Sequence, residues 1–170
     1  MAIQLETERL IMREMCEADA PGMFELNSDN EVIWYTGDKS FENIEQTKQF
    51  INKYDQYSKF KMGRLNTFLK STGEYIGWCG LKYLVSSNKV DLGYRFNKRH
   101  WGNGYATEAS IASLNYGFKV LHLNEIIATA MKPNTASINV MKKLGMSYSH
   151  DENCGAKPGV VYKITKTEWK

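Results

Sequence analysis

Two glycines set between a strand-like run and a helix-like run carry the clearest chemistry in this sequence. Trp101-Gly102-Asn103-Gly104 follows an alternating stretch at 90–96 and feeds a segment with Thr107, Ile111, Leu114 and Phe118 along one helical side. Gly102 and Gly104 lack a β-carbon, so the main chain can take positive φ there and lie close against a ligand. The first turn of the helix that follows carries unpaired N–H groups and the positive end of the helix dipole, both of which favour an anion. A nest of such donors can hold a pyrophosphate. Taken alone, the pattern also fits a tight strand-to-helix connection. It is not a P-loop, because no Lys-Ser/Thr follows the glycines. It is not a dinucleotide fingerprint either, because the third glycine and the βαβ surroundings are missing.

The elements that must position this loop can be read from periodicity. Residues 7–15 predict a first strand. Asp19 and Pro21 start a helix carried by Met23, Phe24 and Leu26. Ser40 caps a second helix, with Ile44, Thr47, Ile51 and Tyr54 at helical spacing. Residues 66–70, 75–85 and 90–96 form a meander of three strands with turns at 71–74 and 86–89. In the last of these, Val90, Leu92, Tyr94 and Phe96 share one face, and Asp91, Gly93 and Arg95 the other. After the loop and its helix come a strand at 124–131 and a helix started by Pro133 and Asn134. Ile138, Met141 and Leu144 point inward from that helix and Gly145 stops it; strands near 147–150 and 160–165 end the chain. The expected fold is one mixed α/β domain over residues 1–170, with a largely antiparallel sheet.

Composition narrows the function. The chain has 170 residues, 42% hydrophobic and 24% charged, within the range of an ordinary globular domain. Its formal charge of +3, from 22 basic and 19 acidic residues, is too mild to call for nucleic acid, and no basic run interleaves with aromatics. Cys16, Cys79 and Cys154 are far apart and His100, His122 and His150 show no ligand spacing, so neither a disulfide framework nor a metal site is expected. Cys79 reads as buried filler in an apolar strand. No apolar run approaches the ~20 residues of a membrane span, and charges interrupt the N-terminal segment. A cytoplasmic location is expected.

Several blocks, in order, resemble the GNAT superfamily of N-acetyltransferases, and most closely its ribosomal-protein N-terminal acetyltransferase branch. The central block is Asp91-Leu92-Gly93-Tyr94 followed by Trp101-Gly102-Asn103-Gly104-Tyr105-Ala106-Thr107-Glu108-Ala109. Around it stand Glu6-Thr7-Glu8-Arg9-Leu10-Ile11-Met12-Arg13, Gly73-Glu74-Tyr75-Ile76-Gly77, Asn134-Thr135-Ala136-Ser137 and Lys143-Leu144-Gly145-Met146. The superfamily's loop, Gln/Arg-x-x-Gly-x-Gly/Ala, fits in two registers. Arg99-x-x-Gly102-x-Gly104 matches by letter, and Trp101-x-x-Gly104-x-Ala106 by position relative to the helix.

The resemblance implies an acetyl-CoA-dependent N-acetyltransferase acting by direct attack of an amine, with no metal. It implies splayed strands in which the main chain of Tyr94, Arg95 and Phe96 pairs with pantetheine, as an added strand would. It places the pyrophosphate on amides from Gly102, Asn103, Gly104, Tyr105 and Ala106, with Trp101 at the head of the motif and Asn134 bonded to pantetheine. Ser137 is implied near the leaving thiolate, and Asp91 in steering the amine or relaying its proton. Lys98, Arg99 and His100 read either as a contact for the 3′-phosphate or as a solvated charge run. The expected partner is a small-molecule or peptide amine, with a homodimer left open. A non-catalytic acyl-CoA-binding module on the same fold is the rival from another class.

Overall fold

The computed structural model describes residues 2–170. One sheet of eight strands runs through them in the order β1-β2-β3-β4-β5-β6-β8-β7. In place of the single strand expected at 7–15 there are two, β1 (Gln4–Glu6) and β2 (Leu10–Arg13), paired antiparallel. The break is chemical. Thr7 N donates to Leu10 O at 3.0 Å, and Leu10 N donates to Thr7 Oγ1 at 2.9 Å, closing a turn around Glu8 and Arg9.

Helix α1 (Ala20–Ser28) starts where Asp19 and Pro21 predict, and short α2 (Asn30–Ile33) follows. The next helix, α3 (Ile44–Lys53), is capped by Asn43 rather than Ser40, because the Asn43 side chain sits at the right place to accept from Gln46 N, at 2.8 Å. A further short helix, α4 (Gln56–Phe60), has no signal in the periodicity. The meander is present as β3 (Arg64–Leu69), β4 (Tyr75–Leu84) and β5 (Lys89–Phe96), all antiparallel. Helix α5 (Tyr105–Asn115) runs on through one π-helical turn, Tyr116–Val120, into β6 (Glu125–Met131). Helix α6 (Thr135–Lys143) and the hairpin β7 (Ser147–Cys154) and β8 (Lys157–Thr165) complete the chain. At the end of α6, Gly145 takes φ +79°, Met146 N reaches Met141 O and Gly145 N reaches Lys142 O, the paired bonds of a Schellman stop.

The core lies between the sheet and α5 and α6. Leu10, Met12, Ile76, Leu81, Leu114 and Ile126 are fully buried there, each contributing roughly 1.5–3 kcal/mol by leaving water. The buried face of α5 is rotated from the expected one. Ile111 is 42% exposed, while Ala109, Ser110 and Ser113 face the sheet. Small residues let the helix approach closely. The two serines remain satisfied: Ser113 Oγ donates to Ala109 O at 3.0 Å, and both hydroxyls lie within 3.7 Å of Cys79 Sγ. Cys79 is fully buried, as expected, and burial pushes its thiol up.

On the other face, Asp19 ties α1 to the sheet. Its carboxylate accepts two bonds from the Arg13 guanidinium at 2.7 and 2.8 Å, one from Cys16 N at 2.9 Å and one from Asn66 Nδ2 at 2.9 Å. Burial alone would raise this carboxyl, but the donors outweigh it and hold it below its usual range. No described helix is long and apolar enough to cross a membrane.

Candidate coenzyme and acceptor site

All pairings in the sheet are antiparallel except one. Strands β5 and β6 run parallel and meet at a single register point, Asp91 opposite Ile127, after which they diverge. Beyond it β6 stays paired to β8 as far as Met131, and β5 stays paired to β4 as far as Phe96. The gap between them is a V open at the end where α5 and α6 begin. Asn97 N bonds Ile76 O at 2.9 Å, which fixes the alternation along β5. Arg95, opposite Trp78, turns its main-chain groups to β4, whereas Tyr94 and Phe96 direct theirs into the V. The expectation that Arg95 lends its main chain to a ligand is therefore corrected: the two-residue period turns it the other way.

A cavity of about 790 Å³ fills the V and continues past both faces of the sheet. At its mouth lies the glycine loop. Gly102 and Gly104 have φ of +77° and +80°, and nothing lies within 4 Å of where a β-carbon of Gly102 would stand. Gly104 is the N-cap of α5, and the first helical bond runs from Glu108 N to Gly104 O at 3.0 Å. The N–H groups of Tyr105, Ala106 and Thr107 thus precede the helical ladder, and these residues line the cavity. The Asn103 side-chain amide braces the loop from behind, donating to His100 O and Trp101 O at 3.1 and 3.2 Å. Trp101 lines the mouth and donates its indole N–H to Phe96 O at 2.8 Å, so it locks the end of β5 to the loop.

Asn134 caps α6, its Oδ1 accepting from Ser137 N at 3.1 Å, which leaves its amide nitrogen as the group free to donate. Ser137 sits one turn on and meets a partner the sequence does not reveal. The Tyr94 hydroxyl, from β5, donates to Ser137 Oγ at 3.1 Å across the V. Burial pushes the Tyr94 phenol up to about 12. It is protonated at neutral pH and has a proton to give. Tyr94 alternates with Val90, Leu92 and Phe96, so an apolar face masks its hydroxyl in the sequence. A lone phenol among apolar partners is the available signal.

The far side of the cavity is polar. Asp91 is ion-paired to the Arg64 guanidinium, which also donates to Asp91 O at 2.9 Å. Burial raises the Asp91 carboxyl and Arg64 opposes it. Arg95 is buried among polar partners, bonded to Asn27 and to Asp38 on the loop after α2. The two guanidinium carbons lie 5.4 Å (Arg64) and 5.2 Å (Arg95) from the Trp78 ring centroid. Lys98, Arg99 and His100 are each paired with an acid: Lys98 with Glu31 at 2.6 Å, Arg99 with Glu74 at 2.8 Å and His100 with the same Glu74 at 3.1 Å. Lys98 and Arg99 are exposed. Cys154 lines the cavity from the hairpin tip, its thiol raised by burial and by Glu152.

An open strand edge beside a glycine loop and a free helix start suits an extended, phosphate-bearing ligand, and comparison with known proteins agrees. The chain belongs to the family described as the acetyltransferase (GNAT) domain, which it matches over residues 9–147. It is 34% identical over 165 residues to YkkB of Bacillus subtilis, covering 94% of each chain. It is 34% identical to the uncharacterized N-acetyltransferase p20 of Bacillus licheniformis, covering 82% of this chain and 80% of that one. The crystal structure of a GNAT-family acetyltransferase from Bacillus anthracis superposes with a TM-score of 0.84 at 28% identity, covering 98% of this chain and 100% of that one. A more distant relative is the Escherichia coli spermidine N(1)-acetyltransferase, 26% identical over 80% of this chain and 72% of its own. A ribosomal-protein-S5-alanine acetyltransferase from Vibrio fischeri shares the fold, with a TM-score of 0.81 at 18% identity over 99% of each chain. The protein is an acetyl-CoA-dependent N-acetyltransferase. Among the described residues no group of three or more His, Cys, Asp or Glu side chains is placed to hold a metal ion.

Proposed function

We propose that this enzyme, a single catalytic domain acting in the cytoplasm, acetylates the α-amino group of a peptide or of a small molecule. Acetyl-CoA lies along the open edge of β5, its pantetheine arm on the main chain of Tyr94 and Phe96 and on the Asn134 amide. Its pyrophosphate rests on the amides of the 102–106 loop. The cosubstrate supplies an acetyl group on a thioester, activated for attack. The neutral amine attacks the carbonyl carbon, the C–S bond breaks, the thiolate takes a proton from Ser137 as Ser137 takes one from Tyr94, and water then returns a proton to Tyr94. The amine's surplus proton leaves by Asp91 and water. Asp91, with Arg64, faces the side from which the amine arrives.

One observation carries the choice of amine. Both carboxylates on the acceptor side, Asp91 and Asp38, are already bound by arginines. A polyamine, with several ammonium groups to hold, needs free carboxylates. An α-amine, with a reference pKa near ~7.7–8.0 against ~10.4 for lysine, is roughly one-tenth neutral at pH 7 and needs little help from a base. The tests are a peptide with a free N-terminus, its N-blocked lysine-containing twin, and spermidine, presented together with acetyl-CoA. Mass spectrometry is expected to find acetyl mainly on the α-amine. Acetyl mainly on lysine or spermidine would overturn the assignment.

A further inference from the structure

The glycine loop is held from behind by a charge pair that acetyl transfer itself does not use. Glu108 stands in the first turn of α5. Its Oε1 accepts from Thr7 Oγ1 at 2.6 Å and from Arg9 N at 2.9 Å, and its Oε2 accepts from Arg9 Nε at 2.7 Å, with Arg9 Nη2 at 2.6 Å. Burial would raise this carboxyl, but the bonds from Thr7 and Arg9 outweigh it and hold it below its usual range. Arg9 then reaches on. Its Nη1 donates to Asn103 O at 3.1 Å, its guanidinium carbon lies 4.5 Å from the Tyr105 ring centroid, and a β-carbon at Gly104 would lie 3.6 Å from Nη2. A residue 94 positions upstream of Asn103 thus contacts Asn103 and Tyr105, on either side of Gly104.

Electrostatics gives this arrangement a consequence for binding. A carboxylate in the first turn stabilises its own helix but opposes any anion docking at the same helix start. Glu108 therefore works against a pyrophosphate on the loop unless a cation cancels it close by. Arg9 is that cation, and the bond to Asn103 O lets it hold the loop open at the same time.

We propose that Arg9 and Glu108 form a positioning pair that presets the glycine loop and neutralises the first turn of α5, making it receptive to the coenzyme's pyrophosphate. This rests on the assignment of the loop to that group. The pair touches no reacting atom. Its effect is confined to donors that carry phosphate.

The experiment compares two donors, acetyl-CoA and S-acetyl-pantetheine, which lacks the pyrophosphate and adenosine. Arg9→Met is expected to raise KM for acetyl-CoA about tenfold, the order for one charge at a partly buried helix terminus, with kcat/KM for S-acetyl-pantetheine within about twofold of wild type. Glu108→Gln removes the opposing charge and leaves Arg9 in place, so acetyl-CoA should bind at least as tightly as in wild type. Combining the two should recover most of the Arg9→Met loss. Equal losses with both donors would reduce the pair to a brace of the fold and overturn the proposal, as would an unchanged KM for acetyl-CoA. If Arg9→Met does not fold, Arg9→Lys keeps the charge but not the forked bonds, and should show a smaller loss with acetyl-CoA alone; a loss shared by both donors would again overturn the proposal. Titration of wild-type enzyme with CoA separates the two layers: no binding there sinks the loop assignment itself, whereas tight binding matched by Arg9→Met sinks only the pair.

Discussion

Tyr94→Phe and Ser137→Ala should each lower kcat by about a hundredfold or more, the lower end of what a positioned general acid contributes, while the KM for acetyl-CoA stays within about threefold. The two hydroxyls are 3.1 Å apart on opposite walls of the V, and burial keeps the phenol protonated with its pKa pushed up to about 12. They act as one unit, so the double variant should lose little more than either single one. The pH profile gives a second check. An acid with so high a pKa stays protonated through the neutral and mildly alkaline range, so it adds no falling limb to kcat between about pH 7 and 10, using the ordinary phenol value of ~10 as the contrast. Unchanged kcat in Tyr94→Phe would return this hydroxyl pair to a packing role. A kcat that falls as a group near ~10 ionises would place the acid elsewhere.

Gly104→Val should raise the KM for acetyl-CoA by about tenfold to a hundredfold, as expected if one charge-assisted hydrogen bond of ~1.5–3 kcal/mol is lost. Gly104 takes φ +80° as the N-cap of α5, where a β-branched residue is strained. Relief of that strain turns the loop and moves its N–H groups off the pyrophosphate. Gly104→Ala is the milder control: it shares the strain of a positive φ but adds no β-branch, and its β-carbon would meet the Arg9 guanidinium at an ordinary 3.6 Å. Turnover of S-acetyl-pantetheine should survive both changes. A Gly104→Val enzyme that folds and binds CoA as tightly as wild type would contradict the placement of the phosphates.

Much of this site is legible in the sequence, and the parts that are not share a cause. The strand-loop-helix unit around Gly102 and Gly104 is legible because its demands are local: positive φ, close approach and a helix start depend on neighbours in sequence. The strands of the meander follow from alternation, and Gly145 from its stop signal. Arg95 takes an unexpected place because the alternation of main-chain groups along β5 depends on which strand lies opposite. The Tyr94–Ser137 contact and the Arg9–Glu108 pair join residues 43 and 99 positions apart. Neither leaves a periodic trace. Ser110 and Ser113 escape a reading of α5 that equates polarity with exposure, whereas their small size is what brings the helix close to the sheet. The first strand reads as one because its break is made by the side chain of Thr7 and needs no proline or glycine.

The central claim is acetyl transfer to an amine on this site, and release of CoA thiol measures it most directly. Wild-type enzyme with acetyl-CoA and a peptide bearing a free N-terminus should liberate thiol in step with acetylated peptide. The rate should saturate in both substrates, and the N-blocked twin should give little. If no amine releases thiol above the uncatalysed background, while CoA still raises the melting temperature, the cavity binds the coenzyme without using it, and acetyl transfer at this site is contradicted.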